Sequence, residues 1–309
     1  MQVRRNDFDV TNRIQTTDQS IVEREIARLF RLLYPGAEHT LMDRAFTDFA
    51  ALYSGEYAGY QASDTRFHDV QNVMEVTLAI ARLMDGYERS RRDSPPLGAR
   101  LFQLGILLAL FHDIGYLRKT SDVTAPNGAF YTASHVSRGV QFLREYLPKV
   151  GLEDMKETGA ELLHFTGAEK SIADIAVTDP LLRFLGNLLG SAEIMAQMAD
   201  RCYLEKCRDR LYPEFVEAGL AGRQTAQTAQ TATSDEIVYQ SGEDLVQQTP
   251  AFFAAAVSRL EDDLDGVYNY AATHFGGYNL YIHAATRNVY FAQEVSSGKL
   301  QLRRTIPKL

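Results

Sequence analysis

Ala99-Arg100-Leu101-Phe102-Gln103-Leu104-Gly105-Ile106-Leu107-Leu108-Ala109-Leu110-Phe111-His112-Asp113-Ile114-Gly115 is the stretch on which the fold turns. From Ala99 to Phe111 it is apolar all round, the pattern of a helix buried centrally among other helices. It closes on His112 and Asp113, so two polar side chains end the most buried helix of the chain. Left unpaired in such a place, each polar group would cost roughly 1–3 kcal/mol, which argues that the pair has partners. The stretch before it, Arg91 to Gly98 with Ser94-Pro95-Pro96, reads as a loop, and so do residues 118–131 after it.

Helical signals continue outward in both directions. Ser20 and Glu23 have capping-box spacing, and Ile21, Ile26, Leu29, Phe30 and Leu33 follow at near-helical intervals until Pro35-Gly36. A second pattern covers Leu41 to Leu52. A third begins near Phe67 and runs through Val70, Val73, Met74, Leu78, Ile80 and Leu83 to Gly86. After the central helix, the spacing predicts helices from Ser134 to Leu147 and from Glu153 to Phe165. Asp179-Pro180 is an N-cap and first-turn pair that opens a helix to Leu189. Gly190-Ser191 then separates it from a long helix running from Ala192 past Leu211. Residues Ala221 to Ser234, rich in Gln, Thr and Ala, read as a mobile loop. A helical pattern follows from Asp244 to Tyr270, and Tyr278 to Leu302 is compatible with helix or strand. With neither repeats nor β-α-β alternation, the predicted class is all-α.

The composition excludes several function classes. The chain has 309 residues, of which 45% are hydrophobic and 23% charged, so wholesale disorder is excluded. Lys plus Arg number 32 against 40 for Asp plus Glu, a net charge of −8 that argues against a nucleic-acid or anionic-membrane partner. The longest apolar run, Leu101 to Phe111, is shorter than the roughly 20 residues needed to cross a bilayer. Two cysteines, Cys202 and Cys207, exclude a disulfide framework and make a cytoplasmic location the expectation.

Chemistry concentrates in the histidines. His68 falls on the third predicted helix, His112-Asp113 ends the buried one, His135 opens the next, and His164 ends another. Asp200 lies beyond, in the long helix. Adjacent residues on a helix project about 100° apart, so His112 and Asp113 can both reach one cation beside it. Neutral imidazole and carboxylate are the ligand mix of Zn, Fe or Mn, with Mg or Mn favoured as oxygen donors take a larger share.

In this order (His, then His-Asp-Ile-Gly, then His, His and a late helical Asp), the sequence resembles the HD-domain superfamily of metal-dependent phosphohydrolases over roughly residues 60–210. Thr65-Arg66-Phe67-His68-Asp69-Val70-Gln71-Asn72-Val73-Met74-Glu75-Val76 is similar to the aromatic-His-Asn-x-x-His-Ala-x-Asp-Val segment of its cyclic-nucleotide phosphodiesterases. The resemblance implies a helical bundle around a metal cleft (residues 61–215). It is flanked by a helical N-terminal extension (1–60) and a C-terminal helical region (216–309) carrying the loop at 221–234. It also implies one or two divalent metals (Fe, Mn, Zn or Mg) held by His112, Asp113, His135, His164 and Asp200, with Asp113 as the bridge. Where the family has two histidines four apart, this chain has His68 and Asn72. Either His68 moves into the ligand role, or Asn72 is the ligand and His68 donates the proton to the leaving group.

The implied activity is hydrolysis of a phosphoester of a nucleotide or similar small molecule by a metal-activated hydroxide. Asp113 and His68 would be catalytic, and Arg118, Lys119 and Arg138 are candidate phosphate partners. Two alternatives stand beside it: a di-iron oxygenase of the same superfamily, whose ligand set is also compatible, and a degenerate, non-catalytic ligand-binding regulator, to which Asn72 points. His39, His274 and His283 read as structural or surface residues, and Cys202 and Cys207 as inert. Gln197 and Glu193 share a helix face with Asp200. Tyr57-Ala58-Gly59-Tyr60 reads as core or as the lining of a nucleotide pocket.

Overall fold

In the computed structural model, residues 5–222 and 239–302 are described. The 221–234 loop therefore lies outside the described residues apart from Ala221 and Gly222. The fold is all-α, and among the described residues there is no strand, only isolated bridges. The helices are α1 (Gln19–Leu33), α2 (Thr40–Ser54), α3 (Val70–Ser90), α4 (Gly98–Leu110), α5 (His135–Tyr146), α6 (Lys156–Glu161), α7 (Pro180–Ala199), α8 (Tyr203–Lys206), α9 (Tyr212–Glu217), α10 (Gly242–Ser258), α11 (Tyr270–His274) and α12 (Leu280–Ser296). No helix of the described residues is long and apolar enough to cross a membrane.

At the centre α3 packs against α4, α7 and α11, with α1 and α12 outside them. From Phe102 to Leu110 no residue of α4 reaches the surface, as its all-round apolar sequence predicts. One apolar cluster extends from Val22 in α1 to Ala292 in α12. The segments 1–60, 61–215 and 216–309 thus share a core rather than each enclosing its own. Buried polar ties cross the same boundaries. Arg82 of α3 pairs with Asp9 near the N-terminus and donates to the Tyr281 hydroxyl of α12 at 2.9 Å.

Several boundaries depart from the sequence expectation, each for a physical reason. The cap of α1 is Asp18, whose carboxylate accepts from the Ser20 and Ile21 amides, so the Ser20–Glu23 box is not used. In α3 the cap is Asp69, accepting from Asn72 N at 2.9 Å, which leaves His68 outside the helix. The segment after Glu153 is a short α-helix flanked by 3-10 turns rather than one helix to Phe165. Asn279 caps α12 through the Tyr281 and Ile282 amides, so the undecided C-terminal stretch is helical.

The largest shift concerns α7. It runs unbroken through Gly190-Ser191 and stops at Asp200, whereas the expected break was at Gly190 and the expected helix passed through Asp200. Gly190 lacks a side chain because the chain passes too close: a Cβ there would stand 2.5 Å from the Phe165 carbonyl oxygen and 3.2 Å from Leu264. Alanine improves helix propensity by about 1 kcal/mol. A backbone atom cannot yield as a flexible side chain does, however, so overpacking at about 1–3 kcal/mol wins. Gly190→Ala is therefore expected to lower the urea midpoint of unfolding; an unchanged or raised midpoint would count against the close approach.

Candidate imidazole–carboxylate centre

The end of α4 builds the centre. Phe111 closes the helix, a 3-10 turn (Ile114–Tyr116) follows, and His112 and Asp113 lie between them, both buried. The last turn of a helix leaves carbonyls without intrahelical partners. His112 satisfies one: its Nδ1–H donates to the Ala109 carbonyl at 2.8 Å. That bond assigns the proton to Nδ1 in the neutral ring and leaves the Nε2 lone pair free. Nε2 stands 3.1 Å from Asp113 Oδ2 in a charge contact, and Oδ2 is buried with no further partner among the described residues.

His135 repeats the arrangement from the first residue of α5, its Nδ1–H donating to the Thr132 carbonyl at 2.8 Å. Gly115 makes the approach possible, since a Cβ there would fall 1.8 Å from the His135 carbonyl oxygen. Arg138, one turn further along α5, donates from Nε to the Gly115 carbonyl at 2.8 Å and clamps the two segments together. The third imidazole is His68, in the turn before α3. Its Nδ1 pairs with Glu214 Oε2 at 2.7 Å, and Glu214 also accepts from the Arg66 and Phe67 amides. The Tyr116 ring stacks on both His68 and His135, with centroids 4.2 Å and 4.4 Å away, and the two imidazoles lie 6.4 Å from each other. Its hydroxyl lies 3.4 Å from His68 Nε2.

The three imidazoles act electrostatically on Asp113. Burial alone would raise its pKa, but the charges of His112, His68 and His135 hold it well below the usual carboxylate range. Reciprocally, burial disfavours a charged His112, and Asp113 overrides it and lifts the ring to about 9. For His68, too, burial is outweighed by the Asp113 and Glu214 carboxylates, and its pKa is raised. In His135 burial prevails and its pKa is lowered. Glu193 of α7 joins the field: burial together with the charge of Asp113 lifts its carboxyl to about 7, against the pull of His112. The residue is half-buried, yet its Oε2 is fully enclosed and has no hydrogen-bond partner.

The structure thus brings together His68, His112, Asp113 and His135, and pairs Asp200 elsewhere. Asn72 sits in the first turn of α3, where its backbone N–H, not its side chain, donates to the Asp69 cap. His164 is buried with Nε2 3.8 Å from Glu161 Oε2, and its pKa is lowered by burial and by Lys170. Asp200 forms an ion pair with Lys206 Nζ at 2.5 Å and accepts from the Cys202 amide at 2.8 Å.

Two of the three expected phosphate partners are engaged in the fold. Arg118 pairs with Asp64 at 2.8 Å and donates to the Ala125 carbonyl. Arg138 also binds the Leu117 carbonyl and Asp122 and lies over the Tyr131 ring. Lys119 lines a cavity with Tyr57 and Tyr60. As expected of structural residues, His39 pairs with Asp43, His274 with Asp85 and His283 with the Tyr278 hydroxyl. Both cysteines are buried and unbridged.

Glu214 is the participant that sequence reading missed. It lies 146 positions from His68, and no local pattern links the two. Glu193 was visible only as a helix-face neighbour of Asp200.

Among the described residues, no group of three or more His, Cys, Asp or Glu side chains stands ready-made to hold a metal ion. The donor chemistry nevertheless suits one. Buried carboxylate oxygens without partners, such as those of Asp113 and Glu193, call for an explanation by a water or ion. Imidazoles that ligate metals typically commit the other ring nitrogen to a carbonyl or carboxylate, as His112, His135 and His68 do here. The class defined by fold and site is an all-helical protein with a buried centre of three imidazoles on one carboxylate. Comparison with protein-family models, with curated proteins and with solved structures finds no match.

Proposed function

We infer that the chain is a metal-dependent phosphohydrolase acting on a small phosphoester. The observation that carries this reading is the shared tethering of His68, His112 and His135, each by Nδ1, around the buried carboxylate of Asp113. His112, Asp113, His135 and Glu193 are the residues that would hold the metal. When bound there, a divalent cation supplies Lewis-acid polarisation of the phosphoryl group and a lowered pKa for water.

The chain's own residues do the rest. Glu214 fixes the His68 ring and favours its protonated form, so His68 can deliver a proton from Nε2 to a departing oxygen. Tyr116, stacked on both His68 and His135, holds the planes of the two rings. In this scheme Asn72 is not needed as a ligand, and His68 keeps the proton-donor role.

The test is elemental analysis of purified protein combined with a panel of phosphomonoesters and phosphodiesters under Mn, Fe, Zn and Mg. Metal bound stoichiometrically, with hydrolysis of at least one ester (phosphate released from a monoester, or a monoester from a diester), is the expected result; protein that binds none of these metals would refute it. Glu214→Gln keeps the shape but removes the charge behind His68. It is expected to lower kcat by about 10–100-fold, the scale of losses on removing such outer partners, with bound metal unchanged. A kcat that does not move would separate Glu214 from the chemistry.

A further inference from the structure

Away from the imidazoles, the segment Tyr57–Tyr60 and the loop after the 3-10 turn are stitched together. Gln61 N donates to the Arg118 carbonyl and Thr120 N to the Gly59 carbonyl, each at 2.9 Å. Between this pair of segments and α5 lies a cavity of about 240 Å³. Its apolar walls are Tyr57, Tyr60 and Phe142, with Tyr60 edge-on to Phe142 at 5.9 Å. Behind them Tyr146 stacks on Phe142 at 5.3 Å and donates its hydroxyl to Asp48, so the wall is fixed in place.

The charge at the rim is what sets this cavity apart. Lys119 and Lys149 both line it, and among the described residues neither Nζ has a hydrogen-bond or ion-pair partner. The cations around it are neutralised: Arg118 by Asp64, Arg138 by Asp122, Arg144 by Glu157 and Glu161, and Lys170 by Glu161. Glu145 stands four positions before Lys149, but α5 ends at Tyr146 and Lys149 lies in the 3-10 turn that follows. Glu145 instead accepts from Gln141 Nε2 at 3.2 Å and leaves the ammonium open. Burial keeps the Tyr60 hydroxyl protonated, its pKa pushed up to about 12, and that hydroxyl too has no partner among the described residues.

We propose that this cavity binds a small sugar phosphate, with the phosphate on Lys119 and Lys149, the carbon skeleton against Tyr57, Tyr60 and Phe142, and a hydroxyl donated to Glu145. Two ammonium groups meet a phosphate as compact point charges with charge-assisted hydrogen bonds. The Glu145 carboxylate in the same lining would repel a second anionic group but accepts from hydroxyls. Pockets for drug-sized ligands measure about 300–1,000 Å³, so this smaller space selects one phosphorylated ring over a whole nucleotide. Nothing in the cavity depends on a metal at Asp113.

The experiment is calorimetric titration of the full chain with ribose 5-phosphate, ribose and inorganic phosphate. The expected result is that ribose 5-phosphate binds more tightly than phosphate and that ribose shows no binding. Lys119→Met and Lys149→Met should each weaken ribose 5-phosphate at least about tenfold, the scale of one hydrogen bond to a charged group. Tyr57→Ala should weaken ribose 5-phosphate while leaving inorganic phosphate unchanged. The exposed position of Lys149 keeps its variant folded, as circular dichroism would verify.

His112→Ala, which disables the imidazole centre, should leave this affinity unaltered. No binding to the native chain, or binding lost in His112→Ala but kept in both lysine variants, overturns the proposal. The first outcome leaves the phosphohydrolase reading intact, and the second moves the ligand to the centre at Asp113.

Discussion

Asp113→Ala is expected to purify without the metal that the native chain retains and to hydrolyse no phosphoester at a measurable rate. The residue is nearly inaccessible, and its carboxylate is the one negative charge toward which His68, His112 and His135 all act. Removing it deletes the oxygen donor, and the imidazoles that faced it lose the charge they shared. Removing a group that only supports a ligand costs about 10–100-fold in metal affinity or activity, so loss of the donor itself should exceed that range. Elemental analysis and a turnover assay on the same sample provide the check. Full metal content in Asp113→Ala would refute the assignment of this centre.

A companion variant sharpens the result. If Asp200 served the same metal, Asp200→Asn would lose it as well. Its ion pair with Lys206 predicts the opposite: metal and kcat unchanged, stability reduced, because a buried ammonium is left without its counter-charge. The two carboxylates, both buried and both plausible in sequence, are thereby separated by what each stands beside.

The difference between those two aspartates shows how far the sequence could be read. Phe102 to Leu110 announced a buried helix because every position but Gln103 is apolar over more than two helical turns. His112 and Asp113 were visible for the same reason, as polar residues at the end of an apolar run. Their partners are a matter of tertiary approach. Asp200 and Lys206 sit on opposite sides of a helix break that Gly190-Ser191 seemed to offer earlier, because a glycine needed for contact with Phe165 looks in sequence like one needed for a turn. The start of α3 was obscured in a similar way. Phe67, Val70 and Val73 keep helical spacing across the boundary, while the Asp69 cap shows in hydrogen bonding rather than in periodicity. Glu214 could be reached from neither spacing nor cap logic, since its relation to His68 exists only once α9 has packed beside the turn before α3.

The largest stability effect is expected at Asp9, where the N-terminal segment, α3 and α12 are tied by one buried charge pair. Arg82 is 2% exposed and Asp9 6% exposed, so neither charge has water to fall back on. Asp9 accepts from the Arg13 and Ile14 amides at 3.1 Å and 3.0 Å and pairs with Arg82, which reaches Tyr281 with its other nitrogen. Breaking a buried pair by removing one partner costs about 3–5 kcal/mol, chiefly because the remaining charge is uncompensated. Asp9→Asn should therefore lower the unfolding free energy by that amount at pH 7.

The pH dependence has a definite sign. Burial would raise the Asp9 pKa, but the Arg82 charge and the Ile14 amide outweigh it and the folded value is depressed. The associated stability is fully present above the unfolded carboxyl value, about 3.9, and is lost as pH falls through the lower folded value. Urea midpoints of the native chain should accordingly decline below about pH 4 more steeply than those of Asp9→Asn, which carries no proton to gain at this site. Parallel curves for the two proteins would mean that the Asp9 carboxylate contributes no charge to the folded state, and the tie between the N-terminus and α12 would then rest on packing alone.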